Sequence, residues 1–203
     1  MSRNSNTLYF LESGNRKLQN VIDTFSNGTA DVALCECVKL IDEGYDEAYA
    51  FAGAIYEFGG NNVECNYHNA IFYYEQSIER FGSIEAYLGL IRIYYYGKGV
   101  TRNCCKALEY CDLLVKENDN MYANYIMGKI YMDGCCVDVD MNIAKKCFEN
   151  SWDRGYVFGL TKLAMLEQLT GSRVKSWLMR LKAAVVAFRI TRNNPNDPRI
   201  REI

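Results

Sequence analysis

Ala86-Tyr-Leu-Gly-Leu-Ile-Arg-Ile-Tyr94, followed by Tyr-Tyr-Gly97-Lys-Gly99-Val100, decides the reading of this chain. The same text returns as Ala123-Asn-Tyr-Ile-Met-Gly-Lys-Ile-Tyr131, followed by Met-Asp-Gly134-Cys-Cys-Val137. Counted from each opening Ala, Tyr falls at plus eight, Gly at plus eleven and Val at plus fourteen. Another Ala stands seven residues past each Val, at Ala107 and Ala144. A period in the thirties is the sequence signature of stacked helix pairs.

The period extends in both directions. Upstream, Ala48 opens a copy that continues through Tyr56, Gly59, Val63 and Ala70 at the same offsets. Downstream, Gly155 stands four residues before Gly159, as Gly44 and Gly82 stand before Ala48 and Ala86. The copies start at 48, 86, 123 and 159, spaced 38, 37 and 36 residues apart.

Within each of the first three copies, apolar or small residues recur at plus four, five, seven and eight, the spacing of one helical face. Gly53, Gly128 and Ala164 keep that face thin enough for a second helix to approach closely. A Gly after each first helix supplies a left-handed end that costs other residues energy. The second helices carry Ala70, Tyr74 and Ile78, then Ala107, Cys111 and Leu114, then Ala144, Phe148 and Ser151. One such pair cannot bury its apolar face alone, so neighbours stack. The expected fold class is all-α, an α/α solenoid of antiparallel helix pairs.

This text resembles the Sel-one-like repeat (SLR), an α/α relative of the tetratricopeptide repeat. The family pattern runs roughly Ala-x3-Leu-Gly-x2-Tyr-x2-Gly-x-Gly-Val, then Lys-Ala, an aromatic and a closing Gly. Gly97-Lys-Gly99-Val100 with Lys106-Ala107 matches it in full. Gly134-Cys-Cys-Val137 lacks the second Gly, and Asn61 takes its place in the first copy. The fourth copy has Glu167 where the Tyr belongs and no glycine loop. The resemblance covers about residues 30 to 185. It implies a right-handed superhelix and a role in protein–protein interaction. Some SLR proteins are described as hydrolases or enzyme inhibitors, but no residue here maps onto such a role.

Residues 1–46 are expected to form N-terminal helices, a degenerate leading repeat or cap, with one helix over Arg16 to Phe25 and another capped by Asp31 and running to Asp42. Residues 47–171 hold the repeats, 172–190 an amphipathic capping helix, and 191–203 a polar tail expected to be extended or mobile. The apolar patch Leu8 to Leu11 is too short for an export signal. Pro195 and Pro198 lie in the tail, so no helix is interrupted. A net charge of −2 gives no footprint for nucleic acid.

The last helix is apolar at 177, 178, 181, 184, 185 and 188, with Lys175, Arg180, Lys182, Arg189 and Arg192 mostly off that stripe. It is expected to seal the last repeat. An alternative puts Trp177, Arg180, Lys182, Phe188 and Arg189 on an acidic membrane surface or in a partner's groove. The same helix could also serve as a seam between two copies of the chain.

Nine cysteines are present. Some SLR proteins are secreted and carry a disulfide in each repeat, but only Cys104 to Cys111 has such a spacing here. An odd count without an export signal points to free thiols and a cytoplasmic setting. The adjacent pairs Cys104-Cys105 and Cys135-Cys136 lack the spacing of zinc knuckles, so no metal or other cofactor is expected.

Catalysis has little support. His68 is the single histidine, Glu57, Glu64, Glu75 and Glu79 read as solvated helix faces, and no phosphate loop or nucleophile elbow appears. The chain is not expected to be an enzyme.

In tetratricopeptide-like arrays the first helices line a concave groove. The residues carried there are Phe58, Glu85, Arg92, Tyr95, Tyr96, Tyr122, Tyr125, Lys129 and Met132. Tyr beside Arg is the composition of binding hot spots. The expected function is therefore a non-catalytic scaffold or adaptor that holds a protein or peptide in this groove. The cations favour an acidic partner.

Overall fold

The structure is a computed structural model that describes residues 16–201. The apolar patch Leu8 to Leu11 and the export-signal reading lie outside those residues. The described residues form ten α-helices and one 3-10 turn, with no strand. The described residues divide into two compact units, one ending at Asn103 and the other beginning at Cys104.

The first unit holds α1 (Arg16–Ser26), α2 (Ala30–Asp42), α3 (Ala48–Phe58), α4 (Tyr67–Phe81) and α5 (Ile84–Tyr96). Each helix packs on the next, and α3 also meets α5. Leu18, Val21 and Ile22 of α1, Ala33, Cys37 and Leu40 of α2, and Phe51, Ala52 and Ile55 of α3 form one core. Asp31 is not the cap of α2, as the sequence suggests. The helix starts one residue earlier, and the Asp31 carboxylate accepts from the Val32 N–H and from Asn62 Nδ2.

Local chemistry fixes the later helix ends. Asn66 caps α4 by accepting from the Asn69 N–H at 3.0 Å. Gly82 ends it in the left-handed region, at φ +65°, and Ser83 at once caps α5. A side-chain cap contributes about 1 kcal/mol. A Cβ on Gly53 of α3 would lie 2.6 Å from the Tyr74 ring, and one on Gly89 of α5 would lie 2.3 Å from it. Tyr74 of α4 therefore sits clamped between two glycines.

The second unit holds α6 (Cys104–Asn118), α7 (Met121–Asp133), α8 (Met141–Asp153), α9 (Val157–Leu169) and α10 (Arg173–Asn193), then the turn Pro198–Ile200. Successive helices again pack on one another. Asn120 caps α7 and Asp140 caps α8, each accepting two backbone N–H groups. Phe148 of α8 lies over Gly128 of α7 as Tyr74 lies over Gly53, with 2.6 Å to a Cβ built there. At Gly159 a Cβ would meet backbone atoms of α8 at 2.8 Å, so α8 and α9 touch main chain to main chain.

The tail does not run free. The helix continues to Asn193, and the chain then folds back so that the turn packs against α9 and α10. The buried Tyr156 hydroxyl donates to the Arg201 carbonyl at 2.9 Å. Asp197 accepts from both the backbone N–H and the guanidinium of Arg199. A buried phenol needs a hydrogen-bond partner, and the tail supplies it.

Candidate functional site

In the first unit, the residues expected to line a groove are mostly engaged with their own fold. Arg92 of α5 donates two hydrogen bonds to Glu57 of α3, at 2.9 Å from Nε and 2.7 Å from Nη2. Tyr74 of α4 donates to the same carboxylate at 2.8 Å, and Lys98 Nζ lies 3.7 Å away. Glu57 is 2% exposed, so it is not the solvated helix-face residue expected from sequence. Burial alone would push its pKa up, but the Arg92 charge, the hydrogen bonds from Arg92 and Tyr74, and Lys98 outweigh that and hold it below the usual carboxylate value. Burial and the Glu57 charge push the Tyr74 phenol well above its usual value, which keeps it a donor.

Phe58 is half-buried under the Arg92 guanidinium, 5.5 Å from its ring centroid. Glu85 is half-buried beside Ser83 Oγ at 3.3 Å. Tyr95 is buried, edge-on to Tyr96, with the Arg102 guanidinium over its ring and Arg102 Nε on its carbonyl. Tyr96 is 39% exposed.

In the second unit, Tyr122 and Tyr125 of α7 join Tyr156, Phe148 and Phe158 in an aromatic cluster with ring centroids 4.8 to 6.5 Å apart. Tyr125 is 1% exposed, and Lys129 lies 5.5 Å from its ring centroid. Met132 and Lys129 are half-buried. Of the four Tyr expected as open hot spots, three (Tyr95, Tyr122 and Tyr125) are thus core residues. Rings of this size supply the interior of thin helix pairs whose facing positions are Gly and Ala.

The open apolar surface lies on α10. Its buried residues are Ser176 and Ala183, with Met179, Val186, Ala187 and Ile190 half-buried beside them. The opposite side exposes Val174, Trp177, Leu178, Leu181, Val185 and Phe188, with Trp177 at 62% and Phe188 at 69%. The stripe expected to seal the last repeat therefore faces outward. The small residues on the other side allow a closer approach to α9 than Trp177 and Phe188 would.

Several flanking cations are tied down. Lys175 Nζ lies 2.7 Å from Glu167 Oε1, Arg180 donates to Gln168 Oε1 at 2.6 Å, and Lys182 Nζ sits 5.1 Å from the Trp152 ring centroid. The Lys175 hydrogen bond, with Lys145 nearby, holds the Glu167 carboxyl below its usual pKa. Arg189 is exposed.

Comparison with known proteins places this arrangement. A Sel1 repeat protein from Oxalobacter formigenes superposes with a TM-score of 0.66 at 19% identity, over 83% of this chain and 64% of that one. The protective antigen c5321 of uropathogenic Escherichia coli, which displays an SLR fold, superposes with a TM-score of 0.68 at 18% identity, over 85% of this chain and 42% of that one. The chain has the Sel1-like repeat fold. It spans less than two thirds of the length of either structure. No protein-family model matches its sequence, and no curated protein does.

The cysteines hold a bond that their spacing in the sequence does not suggest. Cys104, at the start of α6, is joined by a disulfide to Cys135 in the α7–α8 loop, with 5.9 Å between the Cα atoms. This corrects the expectation of free thiols throughout and removes the thiol argument for a cytoplasmic setting. The bond joins the two vicinal pairs across 31 residues, a spacing that a search within single repeats does not meet. Cys37, Cys111 and Cys147 are buried and free, and burial pushes Cys37 up to about 12 and Cys147 up to about 11. His68 is exposed on the first turn of α4. Among the described residues no group of three or more His, Cys, Asp or Glu could hold a metal ion, and no helix is long and apolar enough to cross a membrane.

Proposed function

We propose that this chain is a non-catalytic protein-interaction module that docks its partner on the outer face of α10. The observation that carries the reading is the exposed stripe Val174, Leu178, Leu181, Val185 and Phe188, with Trp177 beside it. Its spacing of four, three, four and three residues is that of a helix seam, and it runs about 21 Å along the helix. Contiguous exposed apolar surface of this kind marks interaction sites. The Sel1-like repeat fold gives a rigid helical support on which such a face is presented, a common setting for protein partners.

The chemistry favours a partner that offers an apolar helical face bordered by carboxylates. α10 carries six Lys and Arg and no Asp or Glu. Two copies of α10 laid together would juxtapose like charges, which disfavours a symmetric seam. Three of its cations are already held by Glu167, Gln168 and Trp152, which weakens the purely electrostatic attraction that a membrane surface requires.

The experiment is recovery of partners from native extract by the wild-type chain and by Leu178→Asp/Leu181→Asp, both checked for helicity. A partner held by the wild type and lost from the variant supports the reading. Equal recovery by both forms overturns it. Co-sedimentation of the wild type with anionic vesicles, or concentration-dependent dimerisation abolished by the same variant, would reassign the face to a membrane or to a second copy.

A further inference from the structure

The disulfide between Cys104 and Cys135 brings a second pair of cysteines together. Each bonded residue is followed directly by another cysteine, Cys105 in the first turn of α6 and Cys136 in the α7–α8 loop. Cys105 is exposed and Cys136 half-buried, and both are free. The 5.9 Å between the Cα atoms of Cys104 and Cys135 sets their chain neighbours side by side, and the two free thiols interact with one another. Burial, then this contact with Cys105, pushes Cys136 up to about 11. Four sulfurs thus meet where α6 begins, on a loop whose last residue, Asp140, caps α8.

No other thiols in the described residues share this combination of proximity and access. Cys111 and Cys147 interact electrostatically, but both are buried. Cys35 and Cys65 are exposed, on α2 and in the α3–α4 loop. A thiol pair held in contact, with one member open to solvent, is the arrangement that captures an oxidant and then resolves it.

We propose that Cys105 and Cys136 are a dithiol oxidation site that closes a second disulfide beside Cys104–Cys135, with a small-molecule disulfide as oxidant. The exposed Cys105 thiolate attacks one sulfur of the small disulfide. This forms a mixed disulfide on Cys105 and releases one small thiolate. Cys136, once deprotonated, attacks Cys105 Sγ. The Cys105–Cys136 bond forms, the bond to the small thiol breaks, and a second small thiolate leaves. Two protein thiols are oxidised and one small disulfide is reduced to two thiols, the two protons of the protein thiols passing to the departing small thiolates. The α7–α8 loop then carries two covalent ties to the start of α6.

The test is mass spectrometry of the full chain after exposure to oxidised glutathione, alkylation under denaturing conditions and tryptic digestion. Trypsin cuts after Arg102, Lys106, Lys129 and Lys145, so the four cysteines fall in peptides 103–106 and 130–145. Before oxidation the wild-type peptides are joined once and carry two alkyl groups. After oxidation they are expected to be joined with both alkyl groups lost. In Cys104→Ser/Cys135→Ser the two peptides start separate and are expected to become joined. In Cys136→Ser glutathione is expected to remain on Cys105. Retention of both alkyl groups, or of glutathione on Cys105 in the wild type, overturns the proposal.

Discussion

Arg92 of α5 grips Glu57 of α3 with two nitrogens, Nε 2.9 Å from Oε1 and Nη2 2.7 Å from Oε2. The carboxylate has lost nearly all contact with water, so its charge depends on this grip and on the Tyr74 hydroxyl. Arg92→Ala leaves the charge buried and largely uncompensated, and is expected to cost about 3–5 kcal/mol of stability. Urea denaturation measures it. Replacing the pair by apolar residues, Glu57→Leu/Arg92→Met, is expected to restore most of that loss, since desolvating an ion pair cancels much of its attraction.

The same carboxylate sets a pH dependence. Its folded pKa is depressed, so its stabilisation is complete above the ordinary carboxylate pKa and is lost as pH falls through the folded value. The wild type is expected to lose stability as pH falls below the ordinary carboxylate range, and Glu57→Gln to lose less over the same range. Parallel losses in both proteins would show that other carboxylates control acid unfolding.

Gly53 is the site where a normally favourable change should fail. Gly→Ala inside a helix stabilises by about 1 kcal/mol when space allows. Here the new methyl would lie 2.6 Å from the Tyr74 ring, and that ring is held by its hydrogen bond to Glu57 and by Gly89 on its other side. Overpacking of this kind costs about 1–3 kcal/mol, so Gly53→Ala should be net destabilising. Thermal unfolding of Gly53→Ala beside the wild type checks the sign.

The contrast between Gly53 and Glu57 shows what the sequence could reveal. Gly53 and Gly128 recur at one offset, and recurrence exposes a packing requirement without coordinates. Helix starts were legible for the same reason, since Ala48, Ala86, Ala123 and Gly159 lie at or within two residues of where α3, α5, α7 and α9 begin. Glu57 is not legible, because its partners sit 17 and 35 residues away and the same offset holds Tyr95, Met132 and Gln168 in the other copies. The burial of Tyr122 and Tyr125 is not legible, because a groove offset does not say how wide the neighbouring helix is. α10 packs on α9 as expected, but which of its faces does so is not legible, because both are apolar and the choice rests on small residues such as Ser176 and Ala183.

The Cys104–Cys135 bond closes a span of 31 residues through α6 and α7. Restricting a loop of that length in the unfolded chain contributes roughly 3–4 kcal/mol. Cys104→Ser is therefore expected to unfold at lower denaturant. A reductant should lower the stability of the wild type and leave that of the variant nearly unchanged. A reductant effect of equal size in both would place the stabilising bond elsewhere.

The two faces of α10 should respond oppositely to the same substitution. Ala183 is buried on α10, which packs on α9, so Ala183→Asp forces a carboxylate into that seam. Burying an unpaired charge is among the few single changes that cost several kcal/mol. Leu181, two residues away, is half-exposed on the outer face, and Leu181→Asp should leave stability within about 0.5 kcal/mol of wild type. Differential scanning calorimetry of the two variants decides which face carries the fold. If Leu181→Asp destabilises as strongly as Ala183→Asp, the outer stripe is already covered within the isolated protein, and docking must use another surface.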